Sequence, residues 1–319
     1  MSNALNNTRV ATLTTNPAID LTVTLANLMQ GAVNRAQSMR SDAGGKGVIV
    51  AMRLADFGVP VVATGFLGVD NAEIFEHTLA HKRITDGFVR VAGQTRTNVK
   101  LTDSAQQQTT DINAVGIQPD AQAVTELWAQ IDALSADCAW FVIGGQLQAG
   151  LPVTLYAEII RAVKSRGCQV FVDTSGPALR HALDAGANIV KPNIHELSEL
   201  VGRALNGIDE VRACAHTLLN QETRMVVVSM GEQGALFVTA DAQLIARPPV
   251  VTVKTTVGAG DAMVAGVLAG VLKQLSLADC ARLATAFSLS AVTQLARDLP
   301  EPSVMAQWQK DVQIEQLSA

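Results

Sequence analysis

From residue 122 to residue 238 the chain alternates short, wholly apolar runs with longer amphipathic ones, and few architectures accept that pattern. Residues 139–143, 170–172, Ile189–Val190 and 225–228 reserve no face for water, so as strands they need cover on both sides. Residues 123–134, 152–166, Ile194–Val201 and 209–219 have the spacing of helices that would supply it. Ala235–Val238 continues the sheet through a tight turn at residues 231–234. Upstream, 10–14 and 61–67 read as further strands, and 48–57 and 72–81 as helices. Downstream, 277–294 and the tail after Pro300 read as helical. The expected fold is α/β, a mostly parallel central sheet with helices on both faces. A single domain over 1–319 is expected, since no linker-like shift of composition and no internal repeat divides the chain.

A hydrophobic content of 48% is ample for a core in a chain of 319 residues. The net charge of -5, with no long basic run, points away from nucleic acid as a partner. Cys138, Cys168, Cys214 and Cys280 lie far apart and form no C-x-x-C pair, the usage of reduced, buried thiols in a cytosolic protein. Residues 1–8 are polar and lack the apolar stretch of a signal peptide. The most apolar run, 262–272, stops at Lys273, short of a bilayer's width. A cytoplasmic protein with no membrane partner is expected.

The polar residues of this framework collect in one place. Gly144 and Gly145 follow the run at 139–143, and Asp173 follows 170–172. Lys191, Pro192 and Asn193 follow Ile189–Val190, and Ser229 and Gly231 follow 225–228. These are the carboxyl ends of strands, the rim at which open α/β sheets bind ligands. Residues 255–261 (TTVGAGD) then lead into the apolar run. Gly258 and Gly260 let the backbone approach a ligand closely, and the amides of a helix start form an anion site. Asp261 is either the N-cap of a core helix or a base that takes a proton from a hydroxyl while the amides hold a phosphoryl group.

Gly44-Gly45-Lys46-Gly47 opens a second helix in the same manner, now with a lysine. Asp20 lies on the polar face of an alternating strand at 19–23. Along 95–102, Arg96, Asn98 and Lys100 face one way and Thr95, Thr97, Val99 and Leu101 the other. That cationic face is either a solvated edge or the cover of an anionic ligand. Asn193 and Glu196 share a helical turn, as a capping box or as an amide–carboxylate pair holding water around Mg²⁺. Ser229, Gly231 and Gly234 either line a nucleotide or form a hairpin turn. The five histidines show no metal-ligand spacing. The Walker A pattern is absent and G-x-G-x-x-G does not occur in its proper context, which disfavours P-loop kinases and Rossmann dehydrogenases.

Three of these motifs, GGKGxxVA at 44–51, KPNxxEL at 191–197 and TVGAGD at 256–261, together resemble the ribokinase-like PfkB family of carbohydrate kinases. The resemblance runs from about residue 10 to about residue 295. TxNPAxD (14–20), GFLGxDN (65–71) and TRxNVKL (95–101) are similar, within that family, to bacterial 1-phosphofructokinases and their sister group, the tagatose-6-phosphate kinases. The resemblance implies a ribokinase-like fold with a small β-lid, here from about 14–40 and 93–113, which in the family often forms a homodimer contact. It implies ATP-dependent phosphorylation of a phosphorylated ketohexose, fructose 1-phosphate to fructose 1,6-bisphosphate, with tagatose 6-phosphate or another sugar as the alternative substrate. A non-catalytic sensor is the remaining alternative, and the intact Gly258, Gly260 and Asp261 speak against it.

Carried over residue by residue, the family's roles imply Asp261 as catalytic base and Gly258, Ala259 and Gly260 as the anion hole. Asn193 and Glu196 would organise Mg²⁺ through water, and Ser229, Gly231 and Gly234 would lie with Asn193 along ATP. Asp20, Gly44 and Gly45 would hold sugar hydroxyls, and Lys46, Arg96 and Lys100 would meet the phosphate already on the sugar. The chain departs from the family at Ile49, where Asn is usual, and at GGQLQAG (144–150), which replaces S-G-S-L-P-x-G and puts Gln146 at a serine position.

Overall fold

The computed structural model describes residues 8–106, 108–293 and 298–317. The chain begins with β1 (Arg9–Thr14), β2 (Ala18–Leu25), β3 (Ala36–Gly44), α1 (Lys46–Asp56), β4 (Val61–Gly68), α2 (Glu73–His81), β5 (Thr85–Val91), β6 (Thr97–Asp103) and β7 (Gln108–Ile112). It continues through α3 (Ala121–Asp137), β8 (Cys138–Gly144), α4 (Leu155–Ser165), β9 (Gln169–Asp173), α5 (Gly176–Asp184), β10 (Ile189–Val190), α6 (Ile194–Val201) and α7 (Ile208–Thr217). It ends with β11 (Met225–Ser229), β12 (Ala235–Val238), β13 (Gln243–Arg247), α8 (Ala259–Leu272), α9 (Leu277–Thr293), α10 (Pro302–Asp311) and β14 (Gln313–Leu317).

The main sheet has ten strands in the order β14-β13-β12-β11-β10-β9-β8-β1-β4-β5. From β5 to β11 every neighbouring pair is parallel, and β12, β13 and β14 add an antiparallel edge. The alternation of apolar runs and helices dictates this layering. Val10, Val142, Phe171 and Val227 pack on one face against α1, α8 and α9. Ala11, Phe141, Ile143, Val170, Val172 and Val228 pack on the other face against α3, α4 and α5. From β1 the chain moves outward through β4 and β5, then returns to the far side of β1 at β8. The winding direction therefore reverses between β1 and β8, the kind of switch point at whose carboxyl ends open α/β sheets hold their ligands.

Residues Asp261 to Gly270 of α8 are all buried, as its lack of a polar face requires. α9 packs against it backbone to backbone. A Cβ at Gly266 would stand 2.6 Å from the Cα of Ala284, and one at Gly270 would stand 2.6 Å from the Sγ of Cys280. The four cysteines are free and buried. Among the described residues, no helix is long and apolar enough to cross a membrane.

A second sheet, ordered β3-β2-β6-β7, rises from the main body. Its register places Asp20, Asn98 and Lys100 on one face and Leu21, Val23, Met39, Val99, Leu101 and Ile112 on the other. The alternation read along 95–102 is thus realised, and the sheet extends beyond residue 40, to Gly44.

Several elements differ from the pattern reading. α8 starts at Ala259, before the apolar run, with Gly258 as its N-cap. The tail after Pro300 holds a helix, α10, and then the edge strand β14 rather than helix throughout. Residue 294 of the helix expected at 277–294 lies outside the described residues. β3, β5, β13 and α5 have no counterpart among the expected elements. β3 is mostly exposed, so no buried face imposes alternation on it.

Candidate active site

Two glycine loops cross at the β1/β8 reversal. Gly45 is the N-cap of α1 at φ 107°, and a Cβ there would lie 2.9 Å from the Cγ2 of Thr14. A Cβ on Gly144 would lie 3.1 Å from both the Gly47 nitrogen and the Lys46 Cβ. Side chains on these glycines would push the loops apart. From this crossing Lys46 extends to the end of β9, where its Nζ lies 3.1 Å from Asp173 Oδ1. Lys191, at the end of β10, reaches the same oxygen at 3.4 Å. The Asp173 and Lys191 side chains are only 2% and 3% exposed.

Burial works against the charge on Lys46, but the carboxylates of Asp173, Asp261 and Glu196 outweigh it and hold the ammonium above its ordinary pKa. Burial likewise opposes ionisation of Asp173, and the two lysines, Lys191 foremost, hold its carboxyl below the usual carboxylate range.

Gly258 caps α8 in the left-handed region at φ 79°, and Asp261 follows as the third helical residue. The cap position therefore belongs to Gly258, and the N-cap alternative for Asp261 is not what the backbone builds. Asp261 is 8% exposed. Its neighbours Ala259 and Gly260 lie in the first turn, where backbone N–H groups have no partner within the helix. Gly260 leaves room on the side of Lys191, whose Nζ would be 3.4 Å from a Cβ at that position. The first turn of α8 and the buried Lys191 ammonium thus stand side by side, and Asp261 acts electrostatically on Lys46.

Asn193 and Glu196 form the capping box of α6. Asn193 Oδ1 accepts from the Glu196 N–H at 2.9 Å, and Glu196 Oε2 accepts from the Asn193 N–H at 2.8 Å. Asn193 also bridges to Ser229 at the end of β11. Residues 231–234 make the hairpin turn between β11 and β12, with the Met230 N–H donating to the Gly234 carbonyl at 2.9 Å. Gly231 (φ 62°) and Gly234 (φ 94°) both need glycine there, and a Cβ on Gly234 would fall 2.0 Å from the Ala246 carbonyl oxygen. Among the described residues, no group of three or more His, Cys, Asp or Glu could hold a metal ion.

On the lid side, Asp20 is buried and its Oδ2 lies 3.5 Å from Lys100 Nζ. A Cβ on Gly44 would sit 2.7 Å from that same Oδ2, so the close approach of Asp20 to this loop needs glycine. The Arg96 guanidinium donates to the carbonyls of Asn16, Pro17 and Ala114, tying the lid to the loop after β1. Burial lowers its pKa, and Asp20 offsets part of that shift. Ile49 points into the core cluster of α1, so a residue that interrupts the motif completes packing instead. Gln146 is exposed. The sequence pattern locates Asp173 and Lys191 at strand ends and assigns neither a role; the signal for their pairing is an acid and a lysine ending successive apolar strands.

A model of the pfkB family of carbohydrate kinases matches residues 13–303. The chain is 43% identical to the 1-phosphofructokinase of Rhodobacter capsulatus over 312 residues, covering 97% of this chain and 98% of that one. It is 46% identical to the 1-phosphofructokinase of Xanthomonas campestris pv. campestris over 283 residues, covering 87% and 89%. Phosphofructokinase-2 from Escherichia coli has been solved in a tetrameric inhibited form and in complex with substrates and products. Each of those structures matches with a TM-score of 0.87 and 28% identity over 95% of this chain and 98% of that one.

Proposed function

The chain belongs to the pfkB family of carbohydrate kinases, and on that premise we propose that it moves the terminal phosphoryl group of ATP onto fructose 1-phosphate, giving fructose 1,6-bisphosphate. The observation that carries the reading is the buried Asp261 in the first turn of α8, within electrostatic reach of Lys46, with the Lys191 ammonium beside the neighbouring Gly260. There a carboxylate can take the proton of the attacking hydroxyl while amides and ammonium hold the charge of the phosphoryl group. High identity to 1-phosphofructokinases over nearly the whole chain supports the sugar. So does the lid face with Lys100 and Arg96, since a substrate that already carries a phosphate brings charge that a free sugar lacks. Asp20, Gly44 and Gly45 lie where sugar hydroxyls would be held.

The residues present fit ATP. The first turn of α8, with Gly258 at its cap and space beside Gly260 up to Lys191, offers free amides for the phosphates, and Ser229, bridged to Asn193, leads into the turn of Gly231 and Gly234. They fit Mg²⁺ only as an ion that keeps most of its waters, because Asn193 and Glu196 are engaged in the capping box and the described residues hold no group of three or more His, Cys, Asp or Glu for a metal. When bound, the ion neutralises phosphate charge. The second sheet acts as a lid within one kinase domain, and its outer apolar face supports homodimer formation. On that face Met39 is 62% and Ile112 54% exposed. ATP and sugar phosphates as substrates suit a cytoplasmic protein.

The test is ADP release measured by a coupled assay over fructose 1-phosphate, tagatose 6-phosphate, fructose 6-phosphate and the free sugars. The highest kcat/KM is expected on fructose 1-phosphate. Asp261→Asn is expected to lower kcat by about 10²–10⁴-fold. Preference for a free sugar would overturn the substrate, and near-normal turnover of Asp261→Asn would overturn the base.

A further inference from the structure

Asp173 closes β9, is almost sealed from solvent, and receives two ammonium groups on a single oxygen. Lys46 arrives from the glycine loop before α1, and Lys191 from the end of β10. The other carboxylate oxygen, Oδ2, is buried and has no hydrogen-bond partner. A buried ion cluster is weak evidence for stability, because desolvation offsets its attraction. Its geometry is more informative. The carboxylates that act on Lys46 are Asp173, Asp261 and Glu196, all from the transfer end of the site. Lys191 Nζ flanks Gly260 of the anion loop. Lys100 and Arg96 instead gather around Asp20 and the carbonyls of the loop after β1.

We propose that Asp173 is a positioning residue: it turns the Lys46 ammonium away from the phosphate that the sugar already carries and, together with Lys191, toward the phosphoryl group in transit. This rests on the phosphotransfer reading above. Asp173 itself touches neither substrate. It fixes where two positive charges stand, and charge placed at the transferring group lowers the barrier rather than tightening sugar binding. Lys46 then contributes to kcat, and the cations of the lid contribute to the KM of the sugar phosphate.

Three proteins decide the matter in the coupled assay: Lys46→Met, Asp173→Asn and the double variant, each checked for folding by circular dichroism. Lys46→Met is expected to lower kcat by roughly 100-fold while the KM for fructose 1-phosphate moves less than about threefold. Asp173→Asn is expected to show the same division between kcat and KM. The double variant is expected to fall within about threefold of the worse single variant, because the two groups act as one unit. A purely structural carboxylate would give multiplicative losses, and that result overturns the proposal. So does a Lys46→Met enzyme that keeps kcat but loses affinity for the sugar phosphate. Should Asp173→Asn not fold, Lys46→Met decides by its kcat–KM split alone, since its side chain is 34% exposed and its loss leaves the Lys191–Asp173 pair intact. A wild-type enzyme that releases no ADP with any sugar phosphate removes the phosphotransfer reading and this inference with it. An active wild type with an unaffected Lys46→Met removes only the inference.

Discussion

Replacing Gly260 with alanine separates stability from activity at the start of α8. Gly260 is outside the left-handed region, so its backbone accepts an L side chain. An added Cβ meets only the Lys191 side chain, with Nζ at 3.4 Å and Cε at 3.9 Å, which are tolerable contacts. Alanine is favoured over glycine inside a helix by about 1 kcal/mol, and in the first turn by roughly half of that. For a chain of 319 residues a gain of about 0.5 kcal/mol raises Tm by somewhat under about 1 °C. Activity moves the other way. A phosphoryl oxygen accepting from Lys191 needs an Nζ···O distance of about 2.8 Å, and the new methyl group stands between that ammonium and the α8 amides. A displacement of about 1 Å at a reacting centre costs on the order of 10²-fold in rate. Gly260→Ala is therefore expected to melt slightly higher and to turn over about 100-fold more slowly, read by calorimetry and by ADP release at saturating substrate. A variant that melts higher and keeps its kcat would refute the placement of the phosphoryl group between Lys191 and α8.

Three further outcomes follow from the packing. Gly266→Ala drives a methyl group to 2.6 Å from the Cα of Ala284, so urea titration should show a loss of about 1–3 kcal/mol; an unchanged midpoint would mean α8 and α9 separate freely. Met39→Glu puts a charge on the outer apolar face of the second sheet and should abolish the homodimer proposed above, read by light scattering, with a wild-type mass that does not shift counting against that contact. Burial pushes the Cys138 thiol up to about 11 and the Cys280 thiol up to about 12, so neither is expected to react with a disulfide reagent at pH 8 until the protein unfolds. A rapid reaction of either in the native state would contradict their burial.

The strands that read clearly in the sequence are those whose surroundings impose a pattern. β8, β9, β10 and β11 carry uninterrupted apolar runs, with polar residues only at the ends of β9 and β11, because helices cover both faces of the sheet at those positions. β3 in the lid and β14 at the sheet edge are mostly exposed and have no such constraint. The segment after Pro300 shows the ambiguity directly: ten residues form α10, and the next few pair with β13 only because that edge is open to them. Ser229 to Gly234 was equally suited to a turn and to a nucleotide rim. The structure builds the turn, with Gly234 held against the Ala246 carbonyl, and leaves Ser229 bridged to Asn193 on the rim.

The layering, the direction of the sheet and the rim where polar residues collect are legible along the chain, because periodicity and strand-end chemistry are local properties. So are Asp261 and its glycines, since a helix start, its amides and its first-turn acid are neighbours along the chain. Which cation stands at which anion is settled by the folded chain alone. Lys46 and Asp173 are separated by 127 positions, and nothing within either motif states that the side chain at the start of α1 reaches the end of β9. The order of strands in the sheet brings them together, and that order follows from how the two halves of the chain wind outward from β1.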